Sequence, residues 1–415
     1  MQHKIKRLLK DRRLLFWIFM TLLVVVSFLR EFELTGVRGM NMSVYALSYR
    51  YGFISRGVLG TLLNLLCSQF GNQYYSNHTL VWISLIGYLF YVLVLFGFYH
   101  QALKRNNYND RVIVFLFIVT PLLTRMFLTA TNFGRTDMFL IMLTIMACFL
   151  IVYDRFVFLV IPIGAVGMMI HQGYIFMFFN LIVALLLYRI LRLKEKSRHK
   201  SGYYITILSI VCVIVVGLLF WLEVFSKPYY DFGTDVSDQV LTDIQRLAAD
   251  PVDVNMDFIN HELFGTETLS NEWGTILKGF FELLSYCILA SPIMYFCYYI
   301  ARKILLYTKH KWVTILLFCG ALSILPNYFL KCDYGRWFFA TNVYFVFMVL
   351  FMLVLDNEVV KRALVETIER AQHSWVGAFI CVYYMTFLPF KDVAISKVSS
   401  RIVEGIIMVY HYLVQ

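Results

Sequence analysis

The chain alternates long apolar stretches with short loops that are rich in lysine and arginine. Of its 415 residues, 60% are hydrophobic and 18% aromatic, whereas only 15% carry a charge. A helix needs ~20 mostly apolar residues to cross the hydrocarbon core of a bilayer. The composition and its patterning are therefore typical of a protein that crosses a membrane several times, and unlike those of a soluble domain.

About eleven segments approach the length of a membrane span. They lie near residues 14–30, 79–100, 112–128, 137–153, 156–170, 173–190, 203–225, 276–300, 312–330, 338–355 and 374–390. No internal repeat and no Pro-rich or Gly/Ser-rich linker separates them. The sequence therefore predicts an all-α integral membrane protein in which residues 1–415 form a single polytopic domain.

The basic loops predict the orientation of the chain. Short loops dense in lysine and arginine stay in the cytoplasm, and the densest lie at residues 1–13, 104–111, 189–200 and 302–311. The N-terminus is then cytoplasmic. The net charge of +11 is concentrated in these loops, so it is explained by membrane orientation and predicts no nucleic-acid partner.

Two of the predicted outer loops are too long to be simple connectors. The loop at 31–78 contains an apolar segment at 52–66 that glycines and Arg56 interrupt, which predicts an interfacial or re-entrant amphipathic helix. The loop at 226–275 is acidic, and its apolar residues between 236 and 247 recur at helical spacing. We therefore expect both outer loops to contribute to a site, the second through a short helix.

This orientation places a set of polar residues from separate segments on the outer face. They are Arg50, Arg56, Arg135, Asp137, His171, Asp333 and Arg336, with Glu31 and Glu33 as further carboxylates. Charges near a bilayer are costly and usually functional. The set therefore predicts one site at the outer surface of the membrane.

Two segments of this set have the same composition at the start of a predicted span. Residues 131–137 contain glycine, Arg135 and Asp137, and residues 331–337 contain Asp333, glycine and Arg336. A helix N-terminus favours an anion, and a guanidinium group can grip phosphate with two parallel hydrogen bonds. Phosphate is thus the predicted ligand, whereas the structural alternative is a helix-capping carboxylate beside an arginine that reaches lipid headgroups.

Arg56 and His171 each have a functional and a structural interpretation. Arg56 could bind a diphosphate at the headgroup level or make a plain lipid contact. His171 lies in a turn between two apolar spans, where it could transfer a proton near neutral pH or cap neighbouring carbonyls.

Several sequence motifs are absent. The chain contains no Walker loop, no GxGxxG, no HExxH, no paired CxxC and no GxSxG, which disfavours an ATPase, a zinc protease and a typical serine hydrolase. The middles of the spans are also nearly free of charge, whereas channels and proton-coupled transporters usually carry ionisable residues there.

The chain resembles bacterial polytopic glycosyltransferases of the GT-C kind and Wzy-type polysaccharide polymerases. The resemblance covers the general plan of spans and long outer loops. Locally it lies in the segments YGFISRG at 51–57, GRTD at 134–137, HQG at 171–173 and DYGR at 333–336. GT-C enzymes carry a catalytic acid in the first outer loop, where this chain offers only Glu31 and Glu33. This departure favours a polymerase-like site dominated by arginine.

The resemblance implies a membrane glycosyltransferase of the bacterial cytoplasmic membrane, acting in cell-surface polysaccharide assembly such as capsule or O-antigen. The donor would be a sugar or oligosaccharide on a polyprenyl (di)phosphate, and the acceptor a glycan hydroxyl. Arginines 50, 56, 135 and 336, with Asp333, would bind the substrate. Asp137 would be the general base, with His171 as the second candidate for that role. The scheme needs no cofactor, although a metal site formed by Asp137 and Asp333 remains an alternative. The alternative functions are a flippase for lipid-linked glycans and a membrane acyltransferase.

Overall fold

The computed structural model describes residues 12–32, 36–37, 39–54, 56–69, 77–129, 132–194, 198–224, 273–325 and 334–386. These residues form helices and turns, without a strand among them. The helices are α1 (Arg12–Glu31), α2 (Gly39–Ala46), α3 (Gly57–Gln69), α4 (Asn77–Arg105), α5 (Asp110–Arg125), α6 (Asp137–Tyr153), α7 (Val160–Ile170), α8 (Tyr174–Met177), α9 (Phe179–Lys194), α10 (Arg198–Val224), α11 (Trp273–Tyr307), α12 (Lys311–Cys319), α13 (Tyr334–Val354), α14 (Glu358–Gln372) and α15 (Trp375–Thr386). Short 3-10 helices cover Tyr49–Tyr51, Met126–Leu128, Val157–Leu159 and Gly320–Ile324.

Six helices of the described part are long and apolar enough to cross a membrane. They are Arg13–Glu31, Asn77–Arg105, Asp110–Leu128, Lys200–Leu222, Phe280–Tyr307 and Gly335–Val354. Further apolar helices are shorter, among them Asp137–Tyr153 and Val157–Ile170. The prediction of an all-α, multi-pass membrane protein is therefore confirmed.

Local sequence signals set several helix ends. The side chain of Asn109 accepts a hydrogen bond from the backbone N–H of Arg111 at the start of α5, and Asn357 accepts two from the first turn of α14. Asparagine is a preferred residue at such positions because its side chain satisfies N–H groups that have no partner within the helix. At the other end of α6, Asp154 adopts a left-handed conformation that ends the helix.

The chain divides into two compact units, and the division falls within α4. Unit 1 comprises Met1–Phe32, Leu95–Thr129 and Glu272–Gln415, and unit 2 comprises Glu33–Val94 and Ala130–Asn271. The prediction of a single membrane domain stays a prediction.

In unit 1, α13 is the central helix. Its most apolar stretch is entirely buried, and α11, α14 and the 3-10 helix Gly320–Ile324 pack against it. The end of α4 also reaches it, since the ring of Phe98 lies 4.2 Å from that of Phe351 and the amide of Asn106 donates to the Leu353 carbonyl. On another side of this unit, α1, α14 and α15 pack against α5.

In unit 2, α6, α7, α9 and α10 pack together, and α3 packs on both α2 and α7. Gly164 allows the close approach of α7 and α10, because a Cβ atom there would lie 2.9 Å from the side chain of Val211. Helix α6, which carries Asp137, and helix α7, which precedes His171, are therefore both held by packed neighbours.

The segment predicted to form the first outer loop contains a helix, as the sequence predicts, although the helix begins at Gly57 rather than at residue 52. One face of α3 is buried at Gly60 and Leu63, while Leu62, Leu65 and Leu66 are exposed. An exposed leucine face is compatible with contact to lipid. The second predicted outer helix, together with most of the 226–275 loop, lies outside the described residues.

Candidate functional site

The loop that leads into α6 takes its shape from α2. Gly134 adopts a φ of +81°, and a Cβ atom at this position would meet the side chain of Val37 at 2.8 Å. The amide of Asn41 donates to the Phe133 carbonyl at 3.1 Å, and the hydroxyl of Tyr45 donates to the Gly134 carbonyl at 2.8 Å. All of these groups belong to unit 2. Backbone carbonyls satisfied by buried side chains hold a loop in one conformation.

This loop presents Arg135 and Asp137 at the start of α6. Asp137 is the first residue of the helix and is only 2% exposed, whereas Arg135 is partly exposed. A carboxylate at a helix N-terminus is favoured by the helix dipole. The position therefore places an acidic side chain in a buried setting, separated by one residue from an arginine whose guanidinium group can bind an oxyanion.

Arg56 is buried in an unusual backbone conformation. It is 7% exposed and has a φ of +62°, a value that residues other than glycine rarely adopt. The residues that follow pack closely on the preceding segment, because a Cβ atom at Gly57 would collide with the ring of Tyr49, and one at Gly60 with the carbonyl oxygen of Leu47. Such conformations persist only where the surroundings enforce them, and they cluster at functional sites.

Two hydroxyl groups next to Arg56 lack hydrogen-bond partners among the described residues. They are the Oγ atom of Ser48 and the Oη atom of Tyr49, both buried. Burial raises the pKa of Tyr49 to about 12, so its hydroxyl remains protonated and able to donate at neutral pH. An unmade hydrogen bond of a buried group costs about 1–3 kcal/mol, so these hydroxyls are suited to bind the polar groups of a ligand.

His171 directly follows α7 and is buried. Its Nδ1 atom accepts a hydrogen bond from the backbone N–H of Gly173 at 2.8 Å. This bond uses the lone pair of Nδ1, so the neutral ring carries its proton on Nε2. In this arrangement His171 donates a hydrogen bond through Nε2. Because Nδ1 already accepts a hydrogen bond, the ring is not arranged to act as the general base, which the sequence offered as one of its possible roles.

Unit 2 brings these residues onto one scaffold. α6 and α7 are packed neighbours joined by a short turn, so they run in opposite directions, and the start of α6 lies at the same end of the pair as His171. The helix that follows Arg56 packs on α7, and α2 holds the loop before α6. Arg56, Arg135, Asp137 and His171 thus come from separate sequence segments but from elements in mutual contact.

Unit 1 contains a second polar group. Arg125, at the end of α5, forms an ion pair with Glu31, at the end of α1, and the arginine is only 4% exposed. Just beyond Arg125, the ring of Phe127 lies 5.7 Å from that of Phe339, which follows Arg336 by one turn of α13. The Glu31–Arg125 pair and the buried Arg336 therefore lie at the same end of this unit.

The other residues that the sequence predicts for the site are Arg50, Glu33, Asp333 and Arg336. Arg50 is exposed, whereas Arg56 and Arg336 are buried. Asp333 and Glu33 lie outside the described residues. Arg135 and Arg336 belong to different units, and the prediction that they act on one phosphate stays a prediction.

Two buried ionisable residues are not among the predicted site residues. They are Arg125, at the end of α5, and Glu282 of α11. Both lie within apolar stretches of the sequence, and an ionisable residue inside a predicted span is itself a signal of function or of a buried partner. That signal was available for both residues.

No group of three His, Cys, Asp or Glu side chains among the described residues could hold a metal ion. No protein-family model, no curated protein and no solved structure matches the chain.

Proposed function

We propose that the protein is a membrane glycosyltransferase that moves a sugar or oligosaccharide from a polyprenyl (di)phosphate to an acceptor hydroxyl. The observation that carries the proposal is the scaffold of unit 2, on which two arginines, a buried aspartate and a histidine come from elements in mutual contact. Arginines that bind phosphate beside a carboxylate are what such a transfer requires, because the leaving group is anionic and the nucleophile must lose a proton.

In the proposed reaction, the acceptor oxygen attacks the anomeric carbon of the donor sugar. The bond between that carbon and the phosphate oxygen breaks, and the polyprenyl (di)phosphate leaves with the electron pair. The proton of the acceptor hydroxyl passes to Asp137. Arg56 and Arg135 stabilise the charge that develops on the phosphate, an effect worth several kcal/mol in comparable sites.

We assign His171 a supporting role. Its Nε2–H donates to an oxygen of the leaving phosphate, because Nδ1 already accepts the Gly173 N–H. The unpaired hydroxyls of Ser48 and Tyr49 are placed to bind hydroxyl groups of the donor sugar.

The setting of the proposed enzyme is the bacterial cytoplasmic membrane, with about eleven spans, a cytoplasmic N-terminus and the site facing outward. The product would be a cell-surface polysaccharide such as capsule or O-antigen, built in the manner of the GT-C and Wzy-type enzymes. The topology has a direct test. A single cysteine introduced into residues 226–275, on a cysteine-free background, should react with an impermeant maleimide in intact cells, whereas one in residues 189–202 should not.

The function is tested with the purified full-length protein, a labelled polyprenyl diphosphate oligosaccharide and an acceptor glycan. The wild type should produce an elongated glycan without added nucleotide. Arg56→Gln should lose both donor binding and product. Arg155→Gln is the matched control, because Arg155 is exposed near the opposite end of α6, and it should retain both.

Two outcomes would contradict the proposal. If the wild type binds the donor but makes no product with any acceptor, while it moves the donor between leaflets of a vesicle, the protein is a flippase. If Arg56→Gln and Arg155→Gln behave alike, the unit 2 scaffold is not the site.

A further inference from the structure

A cavity of about 270 Å³ lies between α11, α14 and α15, all in unit 1. Its floor is apolar, with Phe296 and Ile380 buried there, and Arg370 of α14 lies in its wall. Gly377 shapes it, because a Cβ atom at that position would collide with the backbone of Ala371. The volume is close to the lower end of the range for small-ligand sites, about 300 Å³.

The cavity is remote from the candidate site of unit 1. Glu369, next to Arg370, pairs with Arg111 at the start of α5, whereas the other end of α5 leads to Phe127, whose ring contacts Phe339 one turn after Arg336. A helix of 16 residues is about 24 Å long. The cavity therefore lies toward the opposite end of unit 1 from Arg336.

The charge of Arg370 is not neutralised within the described part of the chain, although acids surround it in sequence. Glu366 pairs with Lys303 and Arg362, and Glu369 pairs with Arg111 at 3.3 Å. The guanidinium group of Arg370 instead donates to the neutral hydroxyl of Tyr299 at 2.9 Å. A positive charge held in place by a neutral partner at the wall of a cavity is suited to an anionic ligand.

The exposed residues of the helices around the cavity are mostly apolar or aromatic. Tyr295 lines the cavity and is exposed, whereas Trp375, Phe379 and Val382 are exposed on the face of α15 that does not line it. Tryptophan and tyrosine are enriched at the membrane–water interface. The basic loops predict this end of the unit to be cytoplasmic, where the leaflet contains anionic lipids.

We propose that this cavity binds the headgroup of an anionic phospholipid. Arg370, an exposed residue oriented by Tyr299, contacts the phosphate, and the acyl chains lie between α11 and α15 against Tyr295, Val376 and Ile380, which line the cavity. A neutral phospholipid lacks the net negative charge that Arg370 would bind, and free inorganic phosphate lacks the acyl chains. Each of them should therefore bind more weakly than an anionic phospholipid.

The test uses the full-length protein in nanodiscs of phosphatidylcholine with a rising fraction of phosphatidylglycerol that has brominated acyl chains. Bromine quenches nearby tryptophans, so Tyr295→Trp places a probe at a residue that lines the cavity, and its contribution is the difference between proteins with and without this substitution. We expect saturable quenching of the tryptophan at position 295, and the variants below are compared in this background. Arg370→Gln should require about fivefold more phosphatidylglycerol for half of the effect.

Arg362→Gln is the matched control. It removes the same charge from the same helix, and Lys303 and Tyr307 still hold Glu366 in place. The control should behave like the wild type. Three outcomes would each overturn the proposal. The two variants could need the same increase in phosphatidylglycerol for half of the quenching, brominated phosphatidylcholine could quench equally well, or inorganic phosphate could abolish the quenching. The readout does not involve glycan transfer, so it is independent of the proposed function.

Discussion

The hydroxyl of Tyr45 donates a 2.8 Å hydrogen bond to the carbonyl oxygen of Gly134, a residue 89 positions further along the chain. Through this bond the short helix α2 fixes the loop that presents Arg135 and Asp137. Tyr45 touches no proposed reacting atom, so its expected role is to position that loop.

Replacing Tyr45 by phenylalanine should therefore weaken both the fold and the proposed activity. The variant leaves the buried Gly134 carbonyl without this donor, at a cost of about 1 kcal/mol or more. We expect a lower melting temperature and slower glycan transfer, measured on the purified protein. Tyr203→Phe, which changes an exposed tyrosine of α10, should affect neither, and a Tyr45→Phe protein with unchanged activity would contradict the positioning role.

Arg135→Lys and Arg336→Lys should each lose most of the transfer activity while remaining folded and membrane-inserted. Lysine keeps the positive charge, but it is a point charge that cannot form the two parallel hydrogen bonds of a guanidinium group. The measurement is initial transfer rate together with donor affinity. Full activity in both variants would mean that these arginines contact lipid headgroups instead.

Asp137→Asn should abolish turnover and leave donor binding intact. Asparagine preserves the size and the hydrogen-bonding capacity at the start of α6, so the fold should survive, whereas the proton acceptor is lost. General bases contribute roughly 10²–10⁴-fold to a rate, and single-turnover kinetics would resolve such a loss. His171→Ala should show a smaller loss and weaker donor binding; an inactive His171→Ala beside an active Asp137→Asn would exchange the two roles.

The buried Glu31–Arg125 pair should behave as a structural unit. Arg125→Met alone leaves the carboxylate of Glu31 with only the exposed Arg30, 3.4 Å away, so the variant should lose stability, by less than the roughly 3–5 kcal/mol that is typical when one partner of a fully buried pair is removed. The double variant Glu31→Leu/Arg125→Met should recover much of the lost stability, because both charges are gone. Thermal unfolding of the wild type, both single variants and the double variant measures the coupling, and additive losses would argue against the ion pair.

Glu366 should make stability depend on pH in the acidic range. Hydrogen bonds from Tyr307, Arg362 and Lys303 lower the pKa of this carboxyl group from 4.5 to about 2. The unfolded chain binds the proton more readily, so the stabilisation is complete above about pH 4.5 and is lost as the pH falls toward 2. Melting temperatures between these values should fall less steeply for Glu366→Gln than for the wild type, and parallel curves would contradict the assignment.

The sequence by itself determined the class of the fold and several element boundaries. The span predicted at 14–30 is the helix Arg13–Glu31, and the helix predicted to open at Asp137 begins there. These features follow from local properties, because a membrane-crossing segment must be apolar for ~20 residues and must satisfy its backbone hydrogen bonds within the helix.

Only the tertiary structure decided which polar residues are held together. Besides its neighbour Arg30, Glu31 pairs with Arg125, 94 positions away, and no local pattern in the sequence predicts this second pairing. The close packing of Gly57 and Gly60 against the preceding segment, beside the left-handed Arg56, is likewise visible only in the tertiary structure. Such pairings result from how helices pack in three dimensions, and the periodicity of a single segment carries no information about its neighbour.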